Sequence, residues 1–260
     1  MASKERALYV QDGDVFLPTP HTRGPWDPGA QHAGAPAALI GRAIERLPSP
    51  VPMEVARVTL EVLRPVPLEP LRLATRVERP GRRVELSSAV LTAGHVELCR
   101  ASAWRIRATE LELPVRTAGA DLPGPDAGVA FQPESDEPGM HRTAMEMRFV
   151  RGRFEEPGDA AAWFRLRLPV VSGEEPSPLQ RVLAAADFGN GISSAMSFLT
   201  HLFINTDLTV HLHRLPEGEW VLLDSSTVVQ RTGRGLAQSA LYDITGPIGH
   251  SLQSLLVDTR

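Results

Sequence analysis

The feature that most constrains this chain is a stretch of alternating sequence that occurs twice. Displaced by 150 residues, Val58-Thr59-Leu60-Glu61-Val62-Leu63-Arg64 lies over Leu208-Thr209-Val210-His211-Leu212-His213-Arg214. The second copy has the period of a half-buried strand, with Leu208, Val210 and Leu212 on one face and Asp207, Thr209, His211 and His213 on the other. After a short gap Thr75 falls on Thr227, Gly81 on Gly233 and Gly94 on Gly246. A long-period, two-copy repeat indicates a duplicated domain rather than a solenoid. The second copy reads as strands Asp207–Arg214, Trp220–Gln230, Leu236–Asp243 and Ile248–Val257, joined by turns at Pro216–Gly218, Gly233–Gly235 and Thr245–Pro247. The first reads as strands near 53–65, 70–80, 83–92 and 95–107. Each copy is expected to be an antiparallel meander.

A strand and a helix precede each meander. Ala7–Pro18 predicts a strand turning at Asp12-Gly13-Asp14, and the glycine- and proline-rich run from His21 to Gly34 predicts a long loop. A helix follows from about Ala35, with Pro36 in its first turn, Leu39, Ile40, Ala43, Ile44 and Leu47 on one face, and Pro48 and Pro50 ending it. In the second half the expected strands are Thr143–Phe154 and Ala160–Val171. The next helix has Ser177 as N-cap and Pro178 at its first position, with Leu179, Val182, Leu183 and Ala186 toward the sheet and the glycines of Asp187-Phe188-Gly189-Asn190-Gly191 breaking or bending it. Leu113–Gly139 is rich in Pro, Gly, Ala and Asp and reads as an irregular, partly packed linker. The expected organisation is an N-terminal repeat over 1–112, a linker over 113–139 and a C-terminal repeat over 140–260. One long helix can cover the apolar face of each meander, and two such units can join edge to edge. The fold class is therefore α+β, and the architecture a double hotdog.

Hydrophobic residues at 42% and charged residues at 22% fit a soluble globular protein, while a net charge of -4 supplies no basic field for nucleic acid or an anionic membrane surface. The single cysteine, Cys99, excludes an internal disulfide and a cysteine-rich metal site, and its place in the expected strand Val96–Ile106 suits a small buried side chain. His211 and His213 share a strand face without further ligands at suitable spacing, so they read as solvated residues and no metal is expected. Lys4, the one lysine, falls at the terminus, which disfavours Schiff-base chemistry. No apolar run is long enough for a signal peptide or a membrane span, and the expected location is the cytoplasm.

Four segments carry a resemblance: Gly24-Pro25-Trp26-Asp27-Pro28-Gly29-Ala30-Gln31-His32, Ser177-Pro178-Leu179-Gln180-Arg181-Val182, Ala186-Asp187-Phe188-Gly189-Asn190-Gly191 and Ser251-Leu252-Gln253-Ser254-Leu255-Leu256. In this order and separation the chain resembles the double-hotdog acyl-CoA thioesterases related to bacterial acyl-CoA thioesterase II. The resemblance implies an acyl-CoA substrate, hydrolysis without a cofactor, and a homodimer or higher oligomer. In that family an Asp, a Thr or Ser, and a Gln hold the water that attacks the thioester. Carried over, these match Asp207, Thr227 and Gln253, with Ser225 or Ser226 as alternatives to Thr227. The first repeat would have lost the trio, with Arg57 in place of Asp207 and Ala101 in place of Gln253, and only Thr75 retained. Such a trio suits the chemistry, because a thioester is activated enough for attack by a water oriented by a carboxylate, an amide and a hydroxyl. Backbone N–H groups at a helix start would complete an oxyanion hole. His32, Gly34, Asp187, Gly189 and Asn190 are expected to line the substrate site. Two other readings stand beside hydrolysis. His32 and Asp187 can meet across the pseudo-twofold as in a double-hotdog dehydratase, or the chain is a non-catalytic acyl-CoA-binding module.

Overall fold

The computed structural model of the chain describes residues 6–114, 122–154 and 156–260. In chain order the strands are β1 (Tyr9–Asp12), β2 (Val15–Pro18), β3 (Met53–Val62), β4 (Leu71–Arg79), β5 (Val84–Ala93), β6 (Val96–Arg107), β7 (Val129–Ala130), β8 (Met145–Arg151), β9 (Ala160–Leu166), β10 (His201–Asn205), β11 (Asp207–Leu212), β12 (Trp220–Gln230), β13 (Arg234–Asp243) and β14 (Gly246–Thr259). The helices are α1 (Gly34–Glu45), α2 (Pro178–Ala186) and the single turn α3 (Gly189–Ile192). Among the described residues all fourteen strands join one sheet, in the order β1-β2-β4-β5-β6-β3-β11-β14-β13-β12-β9-β8-β7, with β10 paired to β14. No helix among them is long and apolar enough to cross a membrane.

The sheet is two meanders joined antiparallel at β3 and β11. Thr59 pairs with Thr209, flanked by Val58 with Val210 and Leu60 with Leu208. Thr59 and Thr209 are the same position of the sequence repeat, so the pseudo-twofold passes between them, and their hydroxyls lie 3.4 Å apart. Outward from this pair the row Thr59, Ser102, Ser88, Arg76 in one half answers Thr209, Leu252, Gln238, Ser226 in the other. The displacement is 150 residues on every strand of that row, and even the bulges, at Leu91/Thr92 and Leu241/Tyr242, are 150 apart. This corrects the gapped alignment: Val77, not Thr75, is the counterpart of Thr227, and Ala103, not Ala101, that of Gln253. Gaps at the glycines were attractive because both hairpins need turn residues, but Gly94 and Gly246 occupy different places in their turns.

The helices cover one face of the sheet and run antiparallel to each other. The start of α1 meets the end of α2, where a Cβ on Gly34 would lie 2.6 Å from the Ala184 carbonyl oxygen. The end of α1 meets the start of α2, where the Arg42 guanidinium grips Glu174 through Nε (2.6 Å) and Nη2 (2.5 Å), and the N-cap Ser177 donates to Glu45. Ten of the twelve residues of α1 are buried, and five of those ten are Gly or Ala, which is what lets the helix lie so close to both the sheet and α2. As expected, Ser177 Oγ accepts from Gln180 N–H and Pro178 opens α2.

Two expectations change. Strand β10 was not foreseen, and Met140–Ala144 forms one turn of π-helix ahead of β8 rather than the start of that strand. Of the expected linker, residues 115–121 lie outside the described residues, as does Lys4. Its later part packs on the sheet edge, where β7 pairs with β8 and Trp163 Nε1 donates to the Pro123 carbonyl at 2.8 Å. Cys99 is fully buried, and burial, with the Asp187 charge second, pushes its thiol up to about 12, so it behaves as a core side chain. His211 and His213 are exposed.

The contact at the head of α1 predicts that Gly34→Ala lowers stability by about 1–3 kcal/mol, because a backbone carbonyl has to move. Gly191→Ala, whose Cβ would meet nothing within 4 Å, is expected to stay within about 0.5 kcal/mol of wild type. Urea unfolding of the two variants measures both.

Candidate active site

Antiparallel helices bring the loop before α1 to the residue after α2. His32 lies two residues ahead of α1, and Asp187 is the C-cap of α2. His32 Nδ1 and Asp187 Oδ2 are 2.9 Å apart, with side chains 10% and 4% exposed. The imidazole stacks on Phe188 at 4.2 Å between centroids. His32 Nδ1 also lies 3.1 Å from the Gly34 N–H. One ring nitrogen cannot serve both partners at once: protonated, it donates to Asp187; unprotonated, it accepts from Gly34.

The second carboxylate oxygen has two further donors. Asn205 Nδ2 donates to Asp187 Oδ1 at 2.9 Å and Gln253 Nε2 at 3.2 Å. Gln253 is only 2% exposed, and its Oε1 accepts from the Asn190 N–H at 3.1 Å, so both ends of the amide are held. Asn205 and Gln253 come from adjacent strands: Asn205 pairs with Leu255, whose side chain shares a sheet face with that of Gln253 two residues away. Both point at the helix face. Gly189 makes the approach of α3 possible, because a Cβ there would lie 2.7 Å from Ser239 Oγ and 3.0 Å from Gln253 Oε1.

The trio expected from the sequence is not assembled. β14 runs past β11 and β10 in turn, and the ladder shifts where they meet: Thr206 N–H donates to the Ser254 carbonyl, and Ser254 N–H donates to Asp207 Oδ1 at 2.8 Å. The Asp207 carboxylate thus fills a ladder hydrogen bond at the irregularity, on the face opposite Gln253. The alternation of buried Leu208 with Asp207 already assigned it to that outer face. Thr227 is on the helix face but hydrogen-bonds Ser193 (2.7 Å between hydroxyls), and Ala237 separates it from Gln253 in the pairing. Two strand spacings make that separation roughly 10 Å. Ser225 bonds Ser239 at 2.7 Å, and Ser226 on the other face accepts from Gln238. Gln253 alone of the trio reaches the Asp187 cluster.

Of the expected lining residues, His32, Asp187 and Asn190 face a cavity of about 410 Å³, while Gly34 and Gly189 stand behind it as close-approach positions. Asn205 also lines it and was missed, because the segment that becomes β10 was given no structure. The signal that could have found it is the repeat: displaced by 150 residues, Asn205 falls on Val55 within the expected strand 53–65. Trp26, Phe154, Phe188 and Phe198 supply aromatic wall, with Trp26 and Phe198 stacked at 5.3 Å. His141, from the π-helical turn, is a further lining residue that the sequence did not single out. Burial, with His32 and Arg142 nearby, pushes its imidazole down to about 4. The arrangement is an apolar, ligand-sized pocket with one carboxylate held by three side-chain donors in its wall.

Comparison with known proteins bears on family and fold. The family described as acyl-CoA thioesterase C-terminal domain matches residues 118–257, and acyl-CoA thioesterase N-terminal domain matches residues 22–106. Among curated proteins there is no match. A structure assigned as a thioesterase II from Thermobifida fusca YX is 18% identical with a TM-score of 0.76, covering 96% of this chain and 95% of that one. A protein of unknown function with a hotdog fold from Alicyclobacillus acidocaldarius is 14% identical at 0.76, covering 100% and 98%. Acyl-CoA thioesterase II TesB2 from Mycobacterium marinum is 17% identical at 0.68, covering 97% and 96%. At these identities the structures establish the likeness of fold.

His141 gives the site a pH signature in stability. Its imidazole takes up a proton near 6.5 when unfolded and only near 4 when folded, so the unfolded chain gains protons first as pH falls through that window. Stability contributed by the neutral ring is therefore lost between about pH 6.5 and 4. The urea midpoint of wild type is expected to fall more steeply across this window than that of His141→Gln, which has no group to titrate there.

Proposed function

The chain belongs to the acyl-CoA thioesterase family, and from this we propose that it is a double hotdog that hydrolyses acyl-CoA by means of a water activated at Asp187. The observation that carries the reading is the convergence of His32, Asn205 and Gln253 on one carboxylate in the wall of an apolar cavity. The acyl chain occupies the cavity and the thioester carbonyl carbon stands over Asp187. Asp187 accepts a proton from the attacking water, and Asn205 and Gln253 fix the orientation of the carboxylate and the water. When His32 Nδ1 donates to Asp187, the Gly34 N–H is released at the positive end of α1 to receive the developing oxyanion. Collapse of the tetrahedral intermediate expels coenzyme A as thiolate, and the proton held by Asp187 passes to that sulfur, which restores the carboxylate. Water attack on an activated acyl group calls for no cofactor. Gln253 keeps the role assigned from the sequence, Asp187 takes that of Asp207, and Asn205 replaces Thr227. The repeats run over 1–112 and 140–260 about the linker 113–139.

A second reading has its own observation. The His32–Asp187 contact unites the two residues a dehydratase or hydratase of this architecture would use. Against it, the contact commits His32 Nδ1 and one Asp187 oxygen to each other, whereas dehydration takes a proton from the α-carbon and gives one to the departing β-hydroxyl oxygen, which wants both groups facing the ligand. Assembly as a homodimer in the cytoplasm completes the proposal. Supporting self-association, Val228, Leu236, Leu252 and Leu256 leave 64%, 40%, 39% and 52% of their surface exposed on the outer sheet face. Sedimentation velocity is expected to give twice the chain mass, and a monomer at all concentrations would contradict that assembly.

Thiol release from acyl-CoAs of graded chain length tests the chemistry. Asp187→Asn is expected to lower kcat by about 10²–10⁴-fold. Asp207→Asn should retain activity within a few-fold of wild type. Hydration of crotonyl-CoA without thiol release would replace this reading with the second, and saturable acyl-CoA binding without either activity would leave a binding module.

A further inference from the structure

His141 is unexplained by the chemistry above. It lines the cavity that holds Asp187, His32 and Asn205, and its Nδ1 is buried without a hydrogen-bond partner among the described residues. The turn that carries the ring is pinned: Thr143 bonds His21 Nδ1 at 2.7 Å and the Gly139 carbonyl at 3.0 Å, and Met140 N–H donates to the Arg23 carbonyl. A turn pinned this firmly, carrying an imidazole with an unmet nitrogen, calls for an explanation.

The tautomer supplies one. A buried N–H without an acceptor is rarer and costlier than a buried lone pair without a donor. With Nδ1 closed off, the favoured form has its lone pair there and its hydrogen on Nε2, the nitrogen left for the cavity. We propose that His141 is a catalytic hydrogen-bond donor, its Nε2–H binding the carbonyl oxygen of the thioester and strengthening that bond as the oxygen gains charge. Resting on the hydrolase reading, this role adds a side-chain donor to the backbone N–H of Gly34. No proton leaves His141 in the step: the electron pair displaced from C=O by water comes to rest on the oxygen, and returns to re-form C=O as the C–S bond breaks. Burial keeps the ring uncharged through the neutral pH range, so it polarises the carbonyl without becoming a base that competes with Asp187. A donor in place before reaction acts on the transition state more than on the bound substrate.

Two measurements test this. In the first, thiol release by wild type, His141→Gln and His141→Leu is followed beside the affinity of each for a non-hydrolysable thioether analogue of acyl-CoA. The expected result is a kcat lower by about 10²–10³-fold in His141→Leu, partial recovery in His141→Gln, whose amide N–H can donate, and little change in analogue affinity. Wild-type hydrolysis with His141→Leu within three-fold of it would overturn the role while leaving the hydrolase reading standing, as would equal losses in both variants. A wild type that releases no thiol from any acyl-CoA would overturn the hydrolase reading and this role with it. In the second, the infrared carbonyl stretch of carbonyl-¹³C acyl-CoA bound to Asp187→Asn is compared with that bound to the double variant carrying His141→Leu as well. A lower frequency with His141 present is expected, and identical frequencies would overturn the proposal.

Discussion

The antiparallel pairing of Thr59 with Thr209 is the constraint from which the rest of the molecule follows. Because the two residues are the same position in the repeat, the pairing forces a twofold relation on everything attached to them. Strand order is mirrored about β3 and β11, and the covering helices are turned antiparallel. Slipping the register by one residue would move Leu60, Val58, Leu208 and Val210 from the core to the outer face, so the buried face fixes the pairing. His32 and Asp187, 155 positions apart in the chain, are brought together by this symmetry and not by any local signal.

The symmetry brings the two halves together, but they equip the site unequally. Gln253 has Ala103 as its counterpart, and no amide stands at that place in the first half. Asn205 belongs to β10, whose counterpart in the first half is the start of β3, where Met53, Glu54 and Val55 pair with Arg107, Ile106 and Arg105, so apolar Val55 stands at the place of Asn205. The first repeat contributes His32, the N-terminal turn of α1 and part of the cavity wall. One site is therefore built from both halves, with the charged and amide groups from one and the helix start from the other. The buried carboxylate is tolerable because each of its oxygens is met by a donor, and the amide of Gln253 is in turn tied at both ends.

Much of this was legible in the sequence, and the failures have physical causes. The alternation around Leu208 revealed the duplicated strand, Ser177 and Pro178 marked the start of α2, and the segments around His32, Asp187 and Gln253 carried the family resemblance. The possible meeting of His32 with Asp187 could be stated before any coordinates, since antiparallel helices follow from two equal units joined edge to edge. Asp207 misled because a carboxylate at a strand start looks the same whether it faces a substrate or caps a ladder irregularity, and only the register with Ser254 tells the two apart. Asn205 and His141 were missed for other reasons. His141 sits in a π-helical turn whose conformation is set by tertiary contacts rather than by local periodicity, whereas Asn205 lies in β10, a strand that the repeat implies because Asn205 falls on Val55 within the expected strand 53–65.

The most direct test of the account is a crystal structure with an acyl-CoA analogue in which a methylene separates sulfur from the carbonyl, so that the ketone mimics the thioester and cannot be cleaved. The acyl chain is expected among Trp26, Phe154 and Phe198, with the ketone carbon separated from the Asp187 carboxylate by one bound water. A ketone carbon placed beside Asp207 on the outer face of the sheet, or outside the cavity, would contradict it.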